Sequence, residues 1–262
     1  MTKEHFNIET FQAHFHAIQA RIQKACLACH REPHQILLVA ASKARTATEI
    51  EALYTLQQCH FGENYLQEAL EKIQRLTHLA ITWHFIGKIQ SNKIAPIAQH
   101  FSWVHSVESL KQLQQLNRHR AQYHQSLPLI SYSPAQALQV PLQALQNPLQ
   151  VCLQVNLDQE PQKSGLLPEE LPEVLLNSMH LTSIHLRGLM CIPKATLSQE
   201  ETQQRFHQMK TLQKEMNLLL KEKGHQTQLD ILSMGMSDDF EEAIIAGSHI
   251  VRIGSALFGR RN

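Results

Sequence analysis

Three short stretches carry side chains able to do chemistry together. Lys43 directly follows the apolar run 36–42, ILLVAAS, which suits a strand buried on both faces. A lysine at the C-terminal end of such a strand opens onto a barrel mouth, where partial desolvation favours the neutral amine that attacks a carbonyl. Near the tail, the run 229–232 breaks at Ser233 and Gly235, and the run 250–253 breaks at Gly254 and Ser255. Turns of this kind let backbone N–H groups approach a phosphate, and a helix N-terminus adds positive potential. Arg252 sits inside the second run, where a guanidinium is costly to bury without a partner. Asn64, Lys88, Asn156 and Lys163 end other runs. An amine, an arginine and a phosphate cradle imply a ligand with a phosphate and an aldehyde. Pyridoxal phosphate held as an imine meets that description, and so does a phosphorylated sugar in a Schiff-base aldolase. The residues leave both open.

Such side chains need elements to carry them. Apolar runs at 36–42, 60–63, 81–87, 103–107, 149–156, 186–192, 229–232 and 250–253 predict eight strands. Helical patterns at 46–58, 64–77, 91–100, 169–178 and 199–223 fall between them, with a polar helix from after Val107 to about 126 and Gly224 as the stop of the long one. A last short helix at 238–246 takes Asp238 as N-cap and Glu241 as its capping-box partner. The expected fold class is α/β: a single (β/α)8 TIM barrel over 36–259 with an extra N-terminal helix over 7–30, one domain spanning 1–262. The Pro/Gln-rich stretch 127–148 breaks the rhythm with Pro128, Pro134, Pro141 and Pro148 and reads as a surface insertion.

Composition excludes several classes. The chain has 262 residues, close to the ~250 typical of one α/β barrel, and its net charge of +1 gives no basic field for nucleic acid. No apolar run approaches the ~18 residues of a membrane helix, and the start lacks a leader pattern, so a cytoplasmic protein without membrane contact is expected. Five cysteines at irregular spacing form no disulfide framework. Cys26, Cys29 and His30 spell the haem attachment pattern CxxCH, but both cysteines lie on the apolar stripe of the first helix with Phe11, Phe15, Ile18 and Ile22, which favours burial. Seventeen histidines, among them the pairs His14 with His16 and His119 with His124, show no ligand spacing for a metal.

The chain resembles the pyridoxal phosphate homeostasis proteins of YggS or PROSC type, which share the barrel of the alanine racemase N-terminal domain. The likeness rests on AASK at 40–43, FGENYLQE at 61–68, WHFIG with QSNK at 83–93, KSG at 163–165, LRGLM at 186–190, LSMGMSDD at 232–239 and VRIGSALFG at 251–259. It implies that Lys43 forms the imine with pyridoxal phosphate and that Arg252 faces the pyridine nitrogen. It also implies that Ser233, Gly254 and Ser255, with backbone N–H groups of Met234 and Gly235, hold the phosphate, and that Asn64 lies beside the cofactor. His84, inside a strand, reads as a hydrogen-bonded core residue. Lys88 stands where the family tends to have proline, and adds a competing amine.

The resemblance implies a non-catalytic carrier that binds pyridoxal phosphate reversibly and buffers or delivers it, with apo-enzymes that need the cofactor as partners and a monomer as the expected state. An amino-acid racemase is the alternative. It requires a second base, supplied in related enzymes by a tyrosine of an added C-terminal β-domain, whereas Tyr54, Tyr65, Tyr123 and Tyr132 all lie in the first half of this chain. An aldolase would need a carboxylate beside the lysine, and among the strand ends only Glu63 is offered.

Overall fold

The computed structural model describes residues 8–126, 147–159 and 164–259. Lys163, Tyr132 and nearly all of the 127–148 stretch lie outside them. Eight strands run β1 (Leu37–Ala41), β2 (His60–Glu63), β3 (Thr82–Phe85), β4 (Trp103–Val107), β5 (Leu149–Gln154), β6 (Ile184–Met190), β7 (Ile231–Ser233) and β8 (Ile250–Ile253). They pair in parallel in chain order, and β8 closes the barrel on β1 with Val39 opposite Arg252. Between successive strands lie α2 (Ala47–Thr55), α3 (Leu66–Arg75), α4 (Ile94–His100), α5 (Leu110–Ser126), α6 (Leu171–Ser178), α7 (Gln199–Glu222) and α8 (Phe240–Ile245). Parallel strands need such crossovers, and helices on the outside cover a sheet too apolar to face water. A short α9 (Ser255–Phe258) follows β8, and α1 (Ile8–Ala28) precedes β1.

Local chemistry sets these boundaries. Thr46 caps α2 and Ser198 caps α7, each accepting from the backbone N–H three residues on while Glu49 or Glu201 answers in a capping box. Side chains alternate along each strand, so one set packs under the helices with Phe61, Phe85, Phe101, Phe206 and Phe240, all fully buried. The other set fills the barrel and is unusually polar, including His84, His105, Ser233 and Arg252.

Several expected boundaries shift by one to three residues. β6 begins at Ile184 and leaves Cys191 and Ile192 to the loop, because the apolar run continues past the last ladder pair at Met190 and Ser233. β7 ends at Ser233 rather than before it, since Ser233 pairs with Ile250. The helix expected at 238–246 is α8, whose N-cap is Asp239, not Asp238: Asp239 Oδ1 accepts the Met236 N–H at 2.6 Å and closes the preceding turn.

α1 packs beneath the end of the chain. Phe11 meets Phe258 edge to face at 5.9 Å, and Arg21 covers the Phe240 ring at 4.5 Å while pairing bidentately with Glu241. Cys26 is fully buried in this contact and Cys29 donates to the Ala25 carbonyl, so the CxxCH pattern is helix packing. Among the described residues, no helix is long and apolar enough to cross a membrane.

Candidate cofactor site

The C-terminal ends of β1, β2, β3 and β8 surround a cleft of about 590 Å³, bordered by Lys43, Arg45, Asn64, Arg252, Gly254, Ser255, Ser237 and Asp238 with Ile86, Ile192 and Met236. This is the face of a β/α barrel on which the variable loops build sites. Three cations and one carboxylate border it, which suits an anionic ligand.

Lys43 is half-buried one residue beyond Ser42, whose hydroxyl donates to Glu63 Oε1 at 2.6 Å. The turn after it is tight: Arg45 N–H returns to the Ser42 carbonyl, and Ala44 takes a left-handed φ of 56°. That conformation is unfavourable for alanine and is held by the Glu68 carboxylate, which accepts the Ala44 N–H at 2.7 Å. Lys72 ties the arrangement together, donating to the Ser42 carbonyl, to Glu63 and to Glu68. Burial pushes the Glu63 carboxyl above its ordinary range, opposed by the Lys72 ammonium. Glu63 does not border the cleft; it supports the strand end from below. Gly87 fixes Asn64, since a Cβ there would sit 2.3 Å from the Asn64 carbonyl oxygen. Asn64 Oδ1 is shielded from water without a partner among the described residues.

Arg252 forms the floor at only 5 % exposure. It donates to Ser233 Oγ at 2.6 Å and to the Cys191 carbonyl at 3.1 Å. Among the described residues these bonds use two of its five donors, and Arg252 also borders the cleft. Burial lowers its pKa from the usual arginine value, with Cys191, Asp239 and Cys152 opposing. At the other end Gly254 caps α9, and Ser237 Oγ accepts the Ala256 N–H at 3.3 Å. Arg45 reaches the Gly259 carbonyl at 2.5 Å and lies over the Phe258 ring, placing a cation beside the Gly254 and Ser255 turn.

The fold thus brings together Lys43, Asn64, Arg252, Gly254 and Ser255, but sets Ser233, Met234 and Gly235 below the cleft. Ser233 is fully buried between His105 and Arg252, and the Met234 N–H is taken by the Ile250 carbonyl. Gly235, at a φ of 97°, packs on α8, where a Cβ would lie 2.7 Å from the Ala243 methyl. The loop one step further, 236–238, borders the cleft instead. Arg45, Ser237 and Asp238 were not legible as site residues, and Asp238, expected to cap the helix, borders the cleft instead. Lys88 is exposed and does not border the cleft.

A closed barrel with a lysine ending its first strand and a Gly-Ser turn ending its last defines the alanine racemase N-terminal class, and the family model "Alanine racemase, N-terminal domain" matches residues 13–262. Within that class the chain belongs to the pyridoxal phosphate homeostasis protein family. It is 42% identical to the protein of that name from Pseudomonas aeruginosa over 245 residues, covering 94% of this chain and 93% of the relative. Over 248 residues it is 37% identical to the one from Escherichia coli K12, covering 94% of each. The solved structure of PipY from Synechococcus elongatus PCC7942 with PLP bound superposes with a TM-score of 0.73 at 34% identity, over 91% of this chain and all of that one. An alanine racemase from Clostridium difficile shares the fold at 16% identity and a TM-score of 0.64, over 97% of this chain and 57% of its own.

Proposed function

We propose that this chain binds pyridoxal 5'-phosphate on Lys43 and serves as a non-catalytic carrier in its homeostasis. The donor set fits the group. Lys43 offers the amine, Asn64 Oδ1 is an acceptor in want of a donor, Gly254, Ser255, Ser237 and Arg45 gather at an anion-binding end, and Arg252 presents N–H groups from the floor. Bound pyridoxal phosphate supplies an aldehyde that condenses with an amine and a ring that accepts electrons once its nitrogen is protonated. In this reading Ser233, Met234 and Gly235 support the floor and the 236–238 loop.

The observation that carries the non-catalytic reading is the buried cation at the floor. Arg252 is held by a hydroxyl and a carbonyl, and among the described residues no carboxylate is bonded to it. A guanidinium donates to a ring nitrogen and disfavours a second positive charge there, so it holds the proton away from that atom. No tyrosine borders the cleft among the described residues: Tyr65 is exposed, and the Tyr54 hydroxyl accepts the Ala80 N–H. The second base of a racemase is therefore not supplied from these positions. Partners are apo-enzymes that require the cofactor, and the working state is a monomer.

Replacing Arg252 with Glu tests this reading. The variant, loaded with pyridoxal phosphate, is expected to convert alanine to pyruvate faster than the native protein. Native holoprotein that racemises or transaminates at about 1 per second or faster, an ordinary enzyme rate, contradicts it.

A further inference from the structure

Below Arg252 the barrel interior holds a row of imidazoles that the cleft does not account for. His60 on β2, His84 on β3 and His105 on β4 come from three adjacent strands. Nδ1 of His60 lies 3.0 Å from Nε2 of His84, and Nδ1 of His84 lies 2.9 Å from Nε2 of His105. Nδ1 of His105 lies 2.8 Å from Ser233 Oγ, the oxygen to which Arg252 donates. His84 also stacks on Trp103 at 5.6 Å, which fixes its ring plane. Barrels of this kind ordinarily fill this space with branched apolar side chains.

The bonds have one direction, and Arg252 sets it. A guanidinium only donates, so Ser233 Oγ accepts from it and must place its own proton elsewhere or leave it orphaned in a fully buried site. His105 Nδ1 is the acceptor within reach. A neutral imidazole has one donor and one acceptor, so His105 carries its proton on Nε2 and gives it to His84 Nδ1. His84 in turn donates from Nε2 to His60 Nδ1, and the chain ends at the half-buried His60. Neutrality is secured by burial, which pushes His84 well below the ordinary histidine range and His105 down to about 3, with the Arg252 charge adding to the effect on His105. Every bond then points away from Arg252, so the acceptor ends of the dipoles face the guanidinium and add to the stabilisation that Asp239 gives it without bonding to it.

We propose that Ser233, His105, His84 and His60 form a one-directional hydrogen-bonded chain that fixes the rotation of Arg252, making His105 a positioning residue for the donor presented to the cofactor's ring nitrogen. The inference rests on the reading that Arg252 meets that nitrogen. A buried carboxylate would hold the arginine as firmly, but it would also supply the counter-charge that favours a protonated ring. A chain of neutral groups gives the fixed geometry without it.

Long-range 1H–15N NMR of histidine-labelled protein without cofactor reports the tautomers directly. The expected result is Nε2–H at His60, His84 and His105; Nδ1–H at His84 or His105 overturns the chain. Binding of pyridoxal phosphate labelled with 15N in the ring tests the consequence. His105→Leu is expected to move the ring-nitrogen shift and weaken binding about tenfold, the equivalent of one lost buried hydrogen bond. His105→Gln, which can still accept from Ser233, should restore both. A shift unmoved in His105→Leu overturns the positioning role, and should that variant fail to fold, His105→Gln with a shift unlike the native one does the same. A ring-nitrogen shift insensitive to Arg252→Lys would sink the ring-nitrogen reading itself, while the tautomer pattern reports separately on the chain.

Discussion

Arg252 Nη1 donates to Ser233 Oγ at 2.6 Å, so the last strand of the barrel is joined to the seventh by a buried bond directly beneath the cleft. The residue expected to bind a phosphate instead holds the arginine of the floor. The distinction matters because Ser233 does not border the cleft, while Gly254, Ser255 and Ser237 do.

The buried histidines make stability fall in acid. His105 is held down to about 3 and His249 to about 4 by burial, against an ordinary value of 6.5. Below about pH 6.5 the unfolded chain takes up protons that the folded protein refuses, so stability is fully present above that value and is lost as the pH falls toward 4. Between about pH 5.5 and 4 these two groups contribute a slope of at most about 2.7 kcal/mol per pH unit, with the share of the partly exposed His249 reduced by solvent screening. Glu63 and Asp239, both raised by burial, act in the opposite sense and reduce the slope. Urea unfolding from pH 7 to 4 measures it, and His105→Gln should remove about one proton's worth. A flat profile across that range contradicts the assignment.

Much of the barrel was legible in the sequence because short apolar runs between turn residues leave little freedom. β2, β4 and β8 lie where their runs place them, and the Thr46 and Ser198 caps follow from residues three apart. The burial of Ser233 was not legible, for a physical reason. The apolar run ends at Leu232, but the strand continues one residue because a polar side chain can enter this barrel where His105 and Arg252 receive it. Those partners lie 128 and 19 residues away, so no local pattern announces them. The histidine row was hidden in the same way: His84 alone is an isolated core histidine, and only the closed barrel sets it between His60 and His105.

Gly235 should tolerate no side chain. Its φ of 97° is left-handed, and a Cβ would lie 2.9 Å from Phe240 Cα as well as against Ala243. Gly235→Ala is expected to lower unfolding free energy by about 2 kcal/mol or more and to weaken cofactor binding by moving the 236–238 loop. Denaturant titration with a loss below about 0.5 kcal/mol would show that α8 yields freely.

Shortening the Pro-rich insertion should leave the site intact. Its described flanks are the end of α5 and the start of β5, and helix-to-strand connections belong to the face of a barrel opposite the cleft. The cut must spare Asn147, whose carbonyl accepts from the fully buried Arg120 at 2.9 Å. A chain lacking residues 129–145 is expected to bind pyridoxal phosphate within about twofold of the native affinity, well inside the tenfold that 1.4 kcal/mol represents. Loss of the cofactor's absorbance in the folded variant would place the insertion at the site.

The central claim is that one lysine holds the cofactor. Protein loaded with pyridoxal phosphate, reduced with borohydride and digested for peptide mapping should carry the label on the peptide containing Lys43, and Lys43→Ala should take up almost none. A label residing mainly on Lys88 or Lys163, with Lys43 unmodified, would contradict it.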